Sequence, residues 1–207
     1  MTDDPDHSAR DPILDAALEL AAEHGWRSVT ATGLASRTDG DLKALGGCGP
    51  FRARLLGALA DRTDRTMRDG LDDDARDTSL PVRDRLFEAL MARLDALSEH
   101  RAGTLAILRG VPFDPPSALA AIPLLGRSMA RTLQAVGESP LPPFGPLKVK
   151  GLSWVWLATL RVWAKDDSAD MAVTMKALDT ALARAEEAAN SFLPGGRRRA
   201  AHSAPES

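Results

Sequence analysis

The sequence predicts an all-helical chain with a small head followed by a larger helical body, and three observations carry that expectation. Apolar residues recur at three- and four-residue steps in successive segments, Gly and Pro fall at the breaks between them, and no stretch shows the two-residue alternation of a strand. With 207 residues, 44% of them hydrophobic, the chain can bury a sizeable core.

Asp11-Pro12 reads as the opening of the first helix, because Asp is a favoured cap and Pro at the first helical position has no amide to leave unpaired. Ile13, Leu14, Ala17, Leu18 and Ala21 then share one face. Gly25 suits the left-handed residue that closes a helix, and Trp26 is expected to fold back onto the core. Thr30 can cap a short helix through Arg37, and Asp39-Gly40 supplies a turn before a further short segment from Asp41 to Leu45. Gly49-Pro50 restarts the chain into a long helix. Phe51, Leu55, Leu59 and Met67 follow helical spacing there, Arg52, Arg54, Arg62, Arg65 and Arg68 read as mostly solvated, and Gly70 ends it. The acidic run 71–79 reads as a linker, which puts the boundary near residue 70.

In the body, Pro81 opens a helix with Val82, Leu86, Leu90, Leu94 and Leu97 on one stripe, widened by Phe87 and Met91. A short apolar helix is expected from Thr104 to Arg109. Val111 to Pro116 forms a proline-punctuated connection into Ser117 to Val136, where Pro123 should kink or restart the element. Pro146 then initiates Leu147 to Ala164, apolar on nearly every face. The last helix is expected from Ser168 to Phe192, capped by Asp167 or Ser168, with Met171, Met175, Leu178, Leu182, Ala185 and Ala189 at alternating four-three steps. Pro194-Gly195-Gly196 breaks it. The expected organisation is a disordered segment 1–10, a head 11–70, a body 71–193 and a disordered tail 194–207.

The charge balance of 26 basic and 29 acidic residues gives no overall drive toward nucleic acid or an anionic membrane. The N-terminus is acidic and polar, unlike a secretory signal, and Gly151 to Ala164 is too short and carries Arg161, so no integral membrane association is expected. The single cysteine, Cys48, excludes an intrachain disulfide and fits a reducing cytoplasm; it is either a structural thiol or a redox-sensing one. Catalysis lacks support: His7, His24, His100 and His202 are scattered, and neither a nucleophile-base arrangement nor a phosphate-cradling glycine loop is present. Asp72-Asp73-Asp74 lacks calcium-loop spacing. No metal or cofactor is expected.

Ile13-Leu14-Asp15-Ala16-Ala17-Leu18, Glu23-His24-Gly25-Trp26 and Val29-Thr30-Ala31-Thr32-Gly33-Leu34-Ala35-Ser36-Arg37 resemble the opening of the tetracycline-repressor (TetR) family of transcriptional regulators. The body resembles a subgroup of that family through Gly151-Leu152-Ser153-Trp154-Val155-Trp156-Leu157-Ala158-Thr159-Leu160, Trp163-Ala164-Lys165-Asp166-Asp167-Ser168 and Ala177-Leu178-Asp179. A related lipid-binding accessory family of ubiquinone biosynthesis has a similar aromatic-then-Asp-Asp-Ser passage, although its C-terminal amphipathic membrane helix is replaced here by Pro194-Gly195-Gly196 and Arg197-Arg198-Arg199. The resemblance implies a helix-turn-helix-like head of three to four helices, a ligand-binding and dimerising body, and a dimeric, ligand-responsive repressor of transcription. The alternative it implies is a lipid- or isoprenoid-binding accessory protein of the same fold that does not bind DNA.

By that resemblance Thr30, Thr32, Leu42, Lys43, Gly46, Gly47 and Arg52 are the DNA-facing positions, with Thr30 and Arg52 against phosphates. Thr30 equally reads as a plain helix cap and Arg52 as an exposed arginine. The recognition segment, Asp41 to Gly47, keeps the family's length but not its chemistry. Lys43 is its one good reader, and each glycine weakens a helix by about 1 kcal/mol relative to alanine. Through residue 70 there are nine basic and twelve acidic side chains, so DNA affinity is expected to be weak. Met91, Met129, Leu133, Trp154, Trp156, Leu157 and Arg161 are candidates for an apolar or amphipathic ligand pocket, with core packing as the alternative. Arg161 calls for an acidic partner, either a ligand head group or an internal Asp or Glu. Trp163, Met171, Met175, Leu178 and Leu182 are the candidate dimer seam, or else an internal one.

Overall fold

The computed structural model describes residues 5–38, 41–46, 49–168 and 170–192, with the side chains of residues 5–9 and 192 left aside. The described elements are helical: α1 (Pro5–His24), α2 (Ala31–Ala35), α3 (Phe51–Asp69), α4 (Asp73–Arg76), α5 (Val82–Ser98), α6 (Arg101–Gly110), α7 (Pro115–Ala135), α8 (Gly145–Trp163) and α9 (Ala172–Phe192), with 3-10 turns at Trp26–Ser28, Leu42–Leu45 and Val111–Phe113.

The first core gathers the α1 face Ile13, Leu14, Ala17, Leu18 and Ala21 with Trp26, Val29, Leu34, Leu45 and Leu55. It also takes Ile107 from α6, so the head core is not built from residues before 70 alone. Two glycines explain how α6 comes so close. A Cβ on Gly103 would collide with the Leu18 backbone, and one on Gly110 with the Trp26 side chain. The second core joins Leu90 and Leu94 of α5, Met129 and Leu133 of α7, Leu152, Val155, Trp156, Leu160 and Trp163 of α8, and Leu178 and Leu182 of α9.

Several boundaries differ from expectation. Helix α1 begins at Pro5, not Asp11, so 5–10 is helical and Pro12 lies inside the helix rather than opening it. Helix α7 starts at Pro115 and runs through Pro123 without a restart. The acidic 71–79 run is not a bare linker, because Leu71 and Ala75 are buried against Met67, Ala89 and Val136 in a third small core. Helix α9 starts at Ala172. Neither Asp167 nor Ser168 caps it; Asp170 Oδ1 accepts from Ala172 N, and Asp166 Oδ2 accepts from Thr174 N and Thr174 Oγ1. The Ser168 hydroxyl and then the Thr174 hydroxyl hold the Asp166 carboxyl well below the usual carboxylate range. No described helix is long and apolar enough to cross a membrane.

Candidate functional site

Thr30 caps α2, its hydroxyl oxygen accepting from Gly33 N at 3.1 Å, and Thr32 is exposed two residues on. Where the resemblance calls for a recognition helix, Leu42–Leu45 is one 3-10 turn. Asp41 opens it by accepting from Lys43 N at 2.9 Å, and Gly46 ends it at φ 59, ψ −166, a region essentially reserved for glycine. Lys43 is exposed, Leu42 is half-buried against the head core, and Gly47 and Cys48 lie outside the described residues. The turn's carbonyls are held by arginines. Arg10 Nε donates to Ala44 O, and Arg54 donates from Nε to Gly46 O at 2.6 Å and from Nη2 to Leu42 O at 3.4 Å. The short segment expected from Asp41 to Leu45 is thus an externally braced 3-10 turn rather than an α-helix. The glycines that cost helix stability also supply the backbone that ends it.

Arg52 is not presented as a free phosphate contact. It pairs with Asp114 (Nε to Oδ2 2.9 Å, Nη2 to Oδ1 3.2 Å), and its Nη1 donates to Arg27 O at 3.1 Å. Asp114 is buried and accepts from the Ser117 hydroxyl; that bond, with Arg52 behind it, keeps its carboxyl below the usual range. Arg27 Nη2 donates to Phe113 O at 3.1 Å. Two head arginines thus clasp the α6–α7 corner of the body.

Farther along α3 lies a buried polar cluster that periodicity did not reveal. Asp64, 1% exposed, accepts from Arg93 of α5 and from Ser128 of α7, and from Arg131 Nη1 at 2.9 Å. Arg131 also reaches Asp61 at 2.5 Å. Burial by itself would raise the Asp64 pKa, but Arg93, Ser128 and Arg131 together outweigh it and hold the carboxyl below its ordinary value. Burial in turn pulls the Arg93 guanidinium down from its ordinary value, against Asp64. Arg93 stacks over the Trp156 ring, 5.0 Å from its centroid.

Beside this cluster a cavity of about 440 Å³ opens between α1, α3, α5, α6 and α8. Leu18, Leu59, Leu97, Ile107 and Leu160 form much of its apolar wall, and Arg93 and Trp156 lie at its buried end. Toward the mouth Arg62 pairs with Asp15 (2.5 Å), Arg65 with Asp11 (3.1 Å), and His100 Nε2 lies 3.2 Å from Asp15.

Of the seven expected pocket residues, only Trp156 lines this cavity. Met129 and Leu133 are sealed in the second core, and Met91 packs against it. Trp154 is 65% exposed, Leu157 is exposed, and Arg161 is exposed with its Nη1 donating to its own helix at Leu157 O rather than to an acid. The seam is corrected as well. Trp163, Leu178 and Leu182 are buried within the chain, Met171 packs on the same core, and Met175 is half-buried beside Phe87 in a shallow groove of α5 and α9. Four-three spacing describes a helix packed on helices of its own subunit equally well.

The arrangement, head helices clasped to a helical body with a cavity between, can be set beside known proteins. A crystal structure of the TetR transcriptional regulator from Nitrosomonas europaea ATCC 19718 matches at TM-score 0.64 and 24% identity, over 89% of this chain and 99% of that one. The chain has the TetR fold. No family model and no curated protein matches its sequence. Within this fold the cavity lies where α1 and α3 meet α5, α6 and α8.

Proposed function

We propose that this protein is a cytoplasmic, dimeric, non-enzymatic regulator of transcription, a repressor whose hold on DNA is set by a small apolar or amphipathic molecule in the cavity. The observation that carries this reading is that the cavity wall is shared. Helices α1 and α3 belong to the head, while α5, α6 and α8 belong to the body, so an occupant bears on how the two are disposed. A ligand shifts DNA affinity only through unequal binding to two such dispositions.

The second subunit is placed against the outer faces of α8 and α9. Leu147, Trp154 and Leu157 on α8, with Val173 on α9, leave large apolar side chains uncovered there, of a kind that a second copy would bury. Trp154→Glu should convert the dimer to monomer in sedimentation velocity.

On DNA, Thr30, Thr32 and Lys43 touch backbone and groove edge, and base reading is sparse because the turn offers few side chains. Gel shift of a fragment carrying the protein's own promoter, at moderate salt, tests the reading. Retardation above that of a random duplex is expected; equal retardation of both would sink it.

Two observations favour a second reading, an accessory lipid- or isoprenoid-binding protein that keeps the fold and does not read DNA. These are the single 3-10 turn at 42–45 and the withdrawal of Arg52 into its pair with Asp114. Native mass spectrometry separates the two: a co-purified lipid with no promoter preference supports the accessory role, and an empty chain with promoter preference rejects it.

A further inference from the structure

We infer that the start of α7 is a wedge that docks on an anionic membrane surface, with Phe113, Leu119 and Ile122 entering the headgroup region and Arg27 and Arg109 meeting lipid phosphates. The inference rests on neither reading above and adds a peripheral contact to both. Phe113 is 71% exposed, Leu119 72% and Ile122 69%, the three highest exposures among the large apolar side chains of the described residues. Leu119 and Ile122 lie three apart on one face of α7, and farther along the same face carries Met129 and Leu133 into the second core. Its first half is left bare. Large apolar side chains gathered in water mark a surface that meets another apolar one.

These side chains protrude rather than line a groove, which suits insertion into the yielding boundary of a bilayer. Backbone polarity points the same way. The start of a helix leaves amides unpaired, and unpaired amides are unfavourable beside lipid. Here Pro115 and Pro116 have no amide hydrogen, and Ala118 N donates to Asp114 O at 2.9 Å. Pro112 and Pro123 are exposed and likewise bring no donor. The one carboxyl at the corner, Asp114, is buried against Arg52 and Ser117 and offers no negative charge to a surface.

Charge selects the lipid. Asp114 is the only acidic residue between 101 and 137, in a chain that has 29, whereas Arg101, Arg109, Arg127 and Arg131 fall in the same span. Arg101 is engaged with the carbonyls of Trp163 and Asp166, and Arg131 with Asp61 and Asp64. Arg127 is 3.6 Å from Asp61 and half exposed. Arg109 is exposed and pairs with no described acid. Arg27 is exposed too; it donates to Phe113 O, beside the apolar side chains, and has no acid paired with it among the described residues. The chain's net charge of −3 therefore does not describe this corner. Cations here attract an anionic surface over about 10 Å at ordinary salt, and a neutral surface would leave them unmatched.

The test is co-sedimentation of the full chain with vesicles of phosphatidylcholine alone, and of phosphatidylcholine mixed with an equal part of phosphatidylglycerol, at low salt. Binding to the mixed vesicles and much weaker binding to the neutral ones is expected. The double variant Leu119→Asp with Ile122→Asp should lose that binding, and Arg109→Gln should weaken it about fivefold, the effect of one cation near the surface. All three side chains are exposed, and circular dichroism checks that each variant is folded. Failure of the native chain to bind the mixed vesicles overturns the inference, and equal binding to both vesicles overturns the anionic class. Unchanged binding by the folded double variant overturns the wedge, because the attraction then lies outside this corner. Sedimentation velocity without vesicles separates the other occupant: a dimer that becomes monomer in the double variant means that a second copy covers this face, which overturns the membrane assignment.

Discussion

At its N-terminal end α3 faces outward: half-buried Arg52 and Arg54 brace an exposed turn and a loop corner. Toward its C-terminal end Asp64 is sealed from water with Arg93 and Ser128, and the part-exposed Asp61 and Arg131 flank that buried cluster. One helix thus carries a lightly built outer end and a heavily interlocked inner end. A part-exposed pair such as Arg52–Asp114 is partly screened by water, whereas a fully buried pair becomes expensive once one partner is removed. The difference teaches where the chain is intolerant: at the joint between α3, α5 and α7 rather than at the outward-facing turn 42–45.

The strongest way to break that contrast is Asp64→Ala. It strands Arg93 in a buried site and should cost about 3–5 kcal/mol, read from urea unfolding. Acid probes the same group. The Asp64 carboxyl is held below its unfolded value of about 3.9, so its contribution is complete above that pH and is lost as pH falls through the lower folded value. Asp114 and Asp166 shift in the same direction. Urea midpoints should therefore be level near neutrality and fall below about pH 4, and Asp64→Asn should show a shallower fall than the native chain.

At the N-terminal end of α3 the expected effects shrink. Gly46→Ala forces a side chain into a glycine-only backbone region and should cost about 1–3 kcal/mol, seen as a lower melting temperature. Asp114→Ala should cost about 1 kcal/mol and free Arg52. Under the regulator reading it should also steepen the salt dependence of promoter binding by about one unit of log-log slope. Lys43→Ala should leave stability within about 0.5 kcal/mol while weakening the promoter gel shift. A stability loss there as large as at Asp64 would erase the contrast.

Much of the helical order was legible because each apolar stripe had to find a core: the α1 face from Ile13 to Ala21 and the α5 face from Leu86 to Leu94 are examples. What the stripes do not state is whose helix they meet. The Leu178–Leu182 spacing fits a subunit seam and an internal seam alike, and here it is internal. Some missed signals were present. Trp154 and Trp156 are two residues apart, so they point to different sides of α8, and only one could share a pocket with Leu160. Arg93 sits three residues after Leu90 on the buried stripe, and Asp64 three before Met67. A charge at such a position calls for a buried partner, but the sequence does not name a partner on another helix. The 3-10 turn at 42–45 depends on carbonyl bracing from Arg10 and Arg54, a tertiary contact that local propensity does not contain.

The seating of α6 on α1 through Gly103 and Gly110 has a practical consequence for anyone dividing the molecule. A fragment ending at residue 70 would bare the side of α1 that Ile107 and its neighbours cover, and would leave Trp26 open where Gly110 now lies. Such a fragment should be sticky and poorly protected in hydrogen exchange, and grafts onto other bodies should carry the chain through residue 113. Introducing alanine at Gly103 would loosen the whole chain in the same place, as a wedge does.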